Sequence, residues 1–377
     1  MGKFRGDFRD LFAGFVIAID VRKLILALTG AILIGLFAGL PTPWWALRYD
    51  AGFSAELGER GPAGYLVMIP DAVCVLWREG GWVFAGWCAF LLAVVTTVWS
   101  LFGTAISRIA AVEIAREDRI RTQEALGFAL SRWASNLSSP IACILGFLFF
   151  TSLVALLGLP GRIPGIGGWA SILTALVFPF GLLGGFIATL IALGAVFGYP
   201  LFYPAVAAEG TDAFDAISRG FSYVYSRPWH ALWYLFTAVV HGVISTAFIW
   251  AFGAVMLAVT CAAVRLGMGA GKFDLILEFT TGRATWDTVV ADGGTGLGIA
   301  AILITTWILL TAGLTLVYAL SYMQSQLTMI YFLLRLRVDE LPMSYVWEEK
   351  EAAPAGDPPG AEGEAAAPGP GGNGDGA

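Results

Sequence analysis

The sequence predicts an all-α, polytopic integral membrane bundle of about six transmembrane helices joined by amphipathic interfacial helices. Three observations predict it. Charged residues make up 13% of the 377 positions, about half the ~25% of a soluble domain. Hydrophobic residues make up 58%, and the mean hydropathy is +0.75. Six runs, at 24–40, 82–104, 141–159, 169–198, 231–264 and 297–322, are almost free of ionised groups. Each approaches or exceeds the ~20 residues that cross ~30 Å of hydrocarbon.

The chain divides on this pattern into an interfacial segment over 1–23, a six-span domain over 24–345 and a polar tail over 346–377. In the first, Phe8, Leu11, Phe12, Phe15 and Ile19 recur at helical spacing, interleaved with Lys3, Arg5, Asp7, Arg9 and Asp10. That pattern suits an amphipathic helix lying in the interface; a polar lead-in to a longer first helix fits as well. No short apolar core with a small-residue cleavage site marks a signal peptide. The first outer loop, 41–80, opens with PTPWW, and Trp44, Trp45, Trp77 and Trp82 fall where an aromatic belt would lie. The second, PGRIPGIGG, is tight, and the third, 265–296, has room for a short helix around FDLILEF. The fifth apolar run is too short for a hairpin of two spans and is expected to be one tilted or interrupted helix. From 351 the chain runs in Pro, Gly, Ala and acids, a composition that cannot bury enough surface to fold.

Orientation follows from Lys and Arg. With the N-terminus inside, fifteen fall on the cytoplasmic side and seven on the other. This places both termini in the cytoplasm and the protein in the cytoplasmic (inner) membrane. Cys74, Cys88, Cys143 and Cys261 show no metal-binding spacing; a Cys74–Cys261 disulfide on the outer side is conceivable.

Two cytoplasmic connections share one plan. In EGTDAFDAISRGFSYVYSRPW, Phe214, Ile217, Phe221, Val224 and Tyr225 fall on one helical face. Asp212 is placed to cap the N-terminus, and Asp215 with Arg219 forms an i,i+4 pair worth about 0.2–0.5 kcal/mol. Pro228 then opens the fifth span. In RIRTQEALGFALSRWASNLSSP, Leu126, Leu130, Trp133 and Leu137 form a similar stripe, and Pro140 is placed to open the third span. Span, short helix and span thus occur twice, over 82–159 and 169–264, which suggests a parallel internal repeat.

The segment AVAAEGTDAFDAISRGFSYVYSRPW resembles the signature of several bacterial multipass membrane families of unknown function. It is also similar to the membrane domain fused to some glycerophosphodiester phosphodiesterases. The matching residues are Glu209, Gly210, Asp215, Ala216, Ile217, Ser218, Arg219 and Trp229. The resemblance implies fold and membrane location, not chemistry, because the phosphodiesterase activity of those proteins resides in a separate soluble barrel.

Residues for bond chemistry are sparse. The two histidines are His230, beside Trp229 at the interface, and His241, inside the fifth run. A histidine-based metal site or a Ser-His-Asp arrangement needs partners around the imidazole, and no metal ligand set or cofactor is expected. His241 is a candidate substrate residue because it stands alone among apolar neighbours; a hydrogen bond to a neighbouring helix explains it too. Glu209, Asp215 and Arg219 are further interaction candidates. GMGAGKF at 267–273 has three residues where a phosphate loop needs four, and Phe273 where it needs Ser or Thr. GLGIAA at 296–301 lacks a preceding strand. In the fourth run, Pro179, Gly181, Gly184 and Gly185, with Gly194 and Gly198 beyond, permit a kink and close helix packing; the alternative is a broken helix lining a cavity.

Basic residues over 108–132 alternate with acids, as in Glu113 with Arg116 and Glu117 with Arg121. A solvated helix face, not nucleic-acid binding, is expected there, with Arg108, Arg116 and Arg132 near anionic headgroups. The expected partners are the bilayer, anionic lipids and other membrane proteins. The expected role is a non-enzymatic, envelope-associated, partner- or lipid-binding component. A transporter with a site near the fourth span and His241 is the alternative, and a membrane-embedded enzyme the third.

Overall fold

The computed structural model describes residues 4–46 and 69–347; nearly all of the tail expected over 346–377 and most of the first outer loop lie outside the described residues. Among the described residues every regular element is helical. The chain is a polytopic all-α bundle, with six helices long and apolar enough to span a membrane.

A 3₁₀ turn (Phe8–Ala13) and α1 (Gly14–Ala18) precede α2 (Val21–Ile34), which passes through a π turn (Gly35–Gly39) into α3 (Thr42–Ala46). The next elements are α4 (Ile69–Glu79), α5 (Gly81–Arg116), α6 (Thr122–Ser131) and α7 (Trp133–Leu157). After a tight turn come α8 (Gly167–Glu209), α9 (Ala213–Ser226), α10 (Pro228–Met268), α11 (Ala270–Thr280) and α12 (Trp286–Val338). The fifth apolar run is one continuous helix, α10. Among the described residues, α12 breaks within its length at Gly294, whose φ of 77° and ψ of 172° are non-helical.

The 3₁₀ turn and α1 replace the single amphipathic helix expected over 8–19. Asp7 caps the turn, and Asp10 accepts from the backbone of Arg5 and Gly6. Asp20 then starts α2 by accepting from the Arg22 amide. These local side-chain bonds compete with one long helix. Leu11, Ile17 and Ala18 are buried while Phe12 and Val16 point outward. α12 holds the segment directly: Ser321 donates to the Ala18 carbonyl at 2.8 Å, and Gln326 to the Leu11 carbonyl at 2.5 Å.

The packed core lies toward one end of the bundle, here called the N-terminal face. It is built from Leu11, Ala27, Ile106, Ala111, Leu201, Ala205 and the stretch 329–334 of α12. Farther from this face the helices present large apolar side chains outward, such as Phe178, Phe180, Val243, Phe248, Trp250 and Trp307. Hydrocarbon chains would solvate those surfaces as well as a protein core does.

The long–short–long plan is present twice, as α5–α6–α7 and α8–α9–α10. Each first helix ends on a left-handed residue, Glu117 (φ 58°) and Gly210 (φ 64°). In both short helices the apolar stripe is only partly turned to the protein. In α9 the buried residues are Ala213, Ala216, Gly220, Tyr223 and Val224, while Phe214 is 77% exposed. In α6 they are Ala125, Phe128 and Ala129, while Leu130 is exposed. Small residues face the protein because they let backbones approach, and large apolar ones face lipid at little cost. A Cβ on Gly220 would come within 2.7 Å of the Phe202 ring, and one on Gly194 within 2.7 Å of the Phe221 ring.

Three other expectations are corrected. Pro140 does not open the third spanning helix; α7 begins seven residues earlier, at Trp133, and Pro140 lies inside it. Glu113 pairs with Lys23 at 2.6 Å across helices, not with Arg116, because Lys23 is fully buried and needs a counter-charge. The four cysteines are free, so Cys74 and Cys261 are not joined.

Candidate functional site

Eight apolar residues, 201–208, lead to Glu209 at the end of α8, and another largely apolar stretch, 327–334, leads to Arg335 near the end of α12. The fold brings these two charges together at the N-terminal face. Arg335 Nη1 donates to Glu209 Oε1 at 2.6 Å, with side-chain exposures of 0% and 7%. Tyr331, one turn back on α12, donates to the same oxygen at 3.3 Å. The other guanidinium nitrogen, Nη2, donates to the carbonyls of Pro342 (3.1 Å) and Tyr345 (2.8 Å). The Phe332 ring lies 4.4 Å from the guanidinium carbon, a cation–π distance. Arg335 therefore ties α8, α12 and the segment after α12 into one knot. Its Nε is buried with no hydrogen-bond partner.

A second cluster adjoins it on α9. Asp212 caps the helix at 2.9 Å to the Asp215 amide, and Arg219 pairs with Asp215 at 3.1 Å, both as the spacing predicts. Arg219 also reaches Asp339 at 3.7 Å, and Tyr223 donates to Asp339 at 2.5 Å. Burial pushes the Tyr223 phenol above its ordinary pKa, and the Asp339 carboxylate pushes in the same direction. Burial works against the Arg219 charge, but Tyr331, Asp215, Tyr223 and Glu209 outweigh it and raise its pKa. The candidates Glu209, Asp215 and Arg219 thus gather on one face of the bundle, each engaged with another protein group.

His241 sits apart from them on α10. Its Nδ1 lies 2.9 Å from the Tyr322 hydroxyl, and Phe12 meets its ring edge-on at 5.3 Å. Tyr322 in turn bonds the Ala238 carbonyl and accepts from Gln326. His241 is not isolated among ionisable groups of the spanning helices: Lys23, Arg108, Glu209 and Arg335 are all buried in them. Arg108 is turned inward, donating to the Ala207 carbonyl at 2.8 Å with its guanidinium 4.4 Å from the Phe128 ring. It is therefore not placed at a lipid headgroup as expected. Arg116 reaches the Val346 carbonyl at 3.2 Å.

The glycine-rich stretch of α8 packs on α7. Cβ atoms at Gly181 and Gly184 would meet Leu157 at 3.3 Å and Val154 at 2.8 Å. Gly185 has open space beside it, and Pro179 lies inside the helix.

Three apolar grooves run between the helices. One, of 560 Å³, lies among α5, α7 and α8, between Ala93, Thr97, Pro140 and Tyr199. A second, of 180 Å³, is lined by α8, α9, α10 and α12, and a third, of 410 Å³, by α10 and α12. The last two share Leu235 and Leu327. Among the described residues no group of three or more His, Cys, Asp or Glu is arranged around a metal position.

Arg335, Tyr331, Tyr223 and Asp339 were not expected in the site. The signal for the first was present: a base closing a largely apolar run, matching an acid that closes another. Comparison with known protein families, curated proteins and solved structures finds no match.

Proposed function

We propose that this multi-pass membrane protein is a non-enzymatic, lipid-binding component of the cytoplasmic membrane, with both termini in the cytoplasm. One observation carries the reading: the ionisable cluster at the N-terminal face is taken up in bonds among its own groups, whereas the grooves among α5, α7, α8, α10 and α12 are lined mainly by apolar residues; the charged lining of Lys272, Asp274, Glu278 and Asp292 is confined to a space between α11 and α12. Buried charges that already satisfy one another serve packing and orientation. Grooves without convergent polar groups suit hydrocarbon tails. The resemblance around Glu209 accords with this, since it implies a membrane fold alone.

A transporter is the second reading, favoured by Tyr322 and Gln326, which line the 410 Å³ groove and belong to the His241 hydrogen-bond chain. Two measurements separate the readings. Protein extracted in mild detergent and washed extensively is expected to retain phospholipid in a fixed molar ratio, and proteoliposomes are expected to show no saturable solute flux. Flux abolished by His241→Ala would replace the lipid-binding reading with the transporter.

A further inference from the structure

The two grooves that meet at Leu235 and Leu327 form one channel along α10 and α12. On α10 it runs from Pro228 past Ala231, Leu235, Ala238, Val239 and Gly242 to Thr246. Eighteen residues of helix rise about 27 Å, longer than the ~15 Å half-thickness of a bilayer core. An extended acyl tail of one leaflet fits within that length. The channel is open along its side, so a tail can enter from the bilayer.

The end of this channel at the N-terminal face is basic. Arg227 immediately precedes Pro228, is exposed, and forms no ion pair among the described residues. On α12 the lining residues Leu327, Ile330 and Leu334 lie on one stripe, and Arg337 is the next position on it. Arg337 is exposed and donates to the Tyr234 hydroxyl at 2.6 Å, a residue flanked on α10 by the lining Ala231 and Leu235. His230 meets the Tyr234 ring at 6.2 Å between centroids. Asp339, which follows α12, is engaged by Tyr223 and Arg219, and Glu340 comes next. Among the described residues neither Arg227 nor Arg337 makes an ion pair, so the apolar channel ends at two arginines and a histidine. Guanidinium groups at such a position suit a phosphate oxygen.

We infer that the α10–α12 channel binds one anionic phospholipid, its acyl tail along Leu235, Val239 and Thr246 and its phosphate at Arg227, His230 and Arg337. This rests on the lipid-binding reading above and names the lipid class and the place. The surrounding residues act differently on the two parts of the ligand. The lip selects head-group charge, and the channel holds the tail irrespective of charge.

The test is native mass spectrometry of the purified full chain with phosphatidylglycerol and phosphatidylcholine of the same acyl composition. The parent is expected to prefer phosphatidylglycerol by about tenfold, the scale of one to two basic side chains at a membrane surface. Arg227→Gln with Arg337→Gln is expected to abolish that preference while keeping phosphatidylcholine binding. Val239→Trp, which fills the channel, is expected to weaken both lipids; Phe180→Trp, at an outward position of α8 that lines none of the grooves, is expected to leave both unchanged. Arg227→Gln alone, at an exposed position, keeps the test valid if a filled variant does not fold. Equal binding of the two lipids by the parent, or a preference that survives the arginine variants, overturns the head-group site. Full binding by a folded Val239→Trp overturns the channel while the lipid-binding reading stands. No lipid retained by the parent overturns both.

Discussion

Glu209 and Arg335 lie 126 positions apart and meet at 2.6 Å with both side chains withdrawn from solvent. The pair joins the end of α8 to the end of α12. Around it Tyr331, the Pro342 and Tyr345 carbonyls and the Phe332 ring complete the surroundings of the two charges. Residue types familiar from catalytic centres here hold three chain segments in register.

Gly220 is a point of close approach between α9 and α8. A methyl group there would lie 2.7 Å from the Phe202 ring and 3.1 Å from the Gly198 carbonyl oxygen. Gly220→Ala is therefore expected to destabilise by about 1–3 kcal/mol. Gly127, in the sister helix α6, is exposed with nothing within 4 Å of its would-be Cβ. Gly127→Ala is expected to stabilise by about 1 kcal/mol through helix propensity. Thermal melts of the two variants in one detergent check both signs together; two destabilised proteins would mean α6 is packed against something further.

This contrast marks the limit of what the amino-acid pattern reveals. The extent of α9, its Asp212 cap and its Asp215–Arg219 pair were all legible, because each depends on neighbours within four residues. Which residues meet the neighbouring helices was not. Phe221 and Val224 of the apolar stripe pack inward while Phe214 is exposed, and close approach falls to the small residues Ala213, Ala216 and Gly220. In α6, likewise, Leu126 packs against the core while Leu130 is exposed. The partner of Arg335 was hidden differently: sequence spacing carries no information about a contact across 126 positions.

Tyr223 supplies a pH signature. Its folded pKa lies above the ~10 of an unfolded tyrosine, through burial and the Asp339 carboxylate. Above pH 10 the unfolded chain therefore releases this proton while the folded chain keeps it, so stability falls as pH rises. The contribution is fully present below pH 10. Tyr223→Phe is expected to shallow the alkaline decline relative to the parent and to leave the neutral-to-acid side of the difference flat. An identical alkaline slope in the two proteins would remove Tyr223 from the account.

The orientation rests on the Lys and Arg distribution and is open to direct labelling. Ser218 on α9 and Lys272 on α11 are both exposed and lie on opposite sides of the bilayer in the expected topology. In a cysteine-free background, Lys272→Cys is expected to react with an impermeant maleimide in intact cells. Ser218→Cys is expected to react only after permeabilisation. The reverse pattern would invert the topology.

The central claim is that the acidic and basic groups at the N-terminal face hold the fold together. A double-mutant cycle on Glu209→Gln and Arg335→Met, read as thermal stability in detergent, tests it most directly. Each single change is expected to cost about 3–5 kcal/mol, since it strands a buried partner. The double variant is expected to cost well under the sum, with a coupling of about 1 kcal/mol or more between the sites. Single variants as stable as the parent, or strictly additive effects, would contradict a structural lock and return Glu209 and Arg335 to candidacy for chemistry.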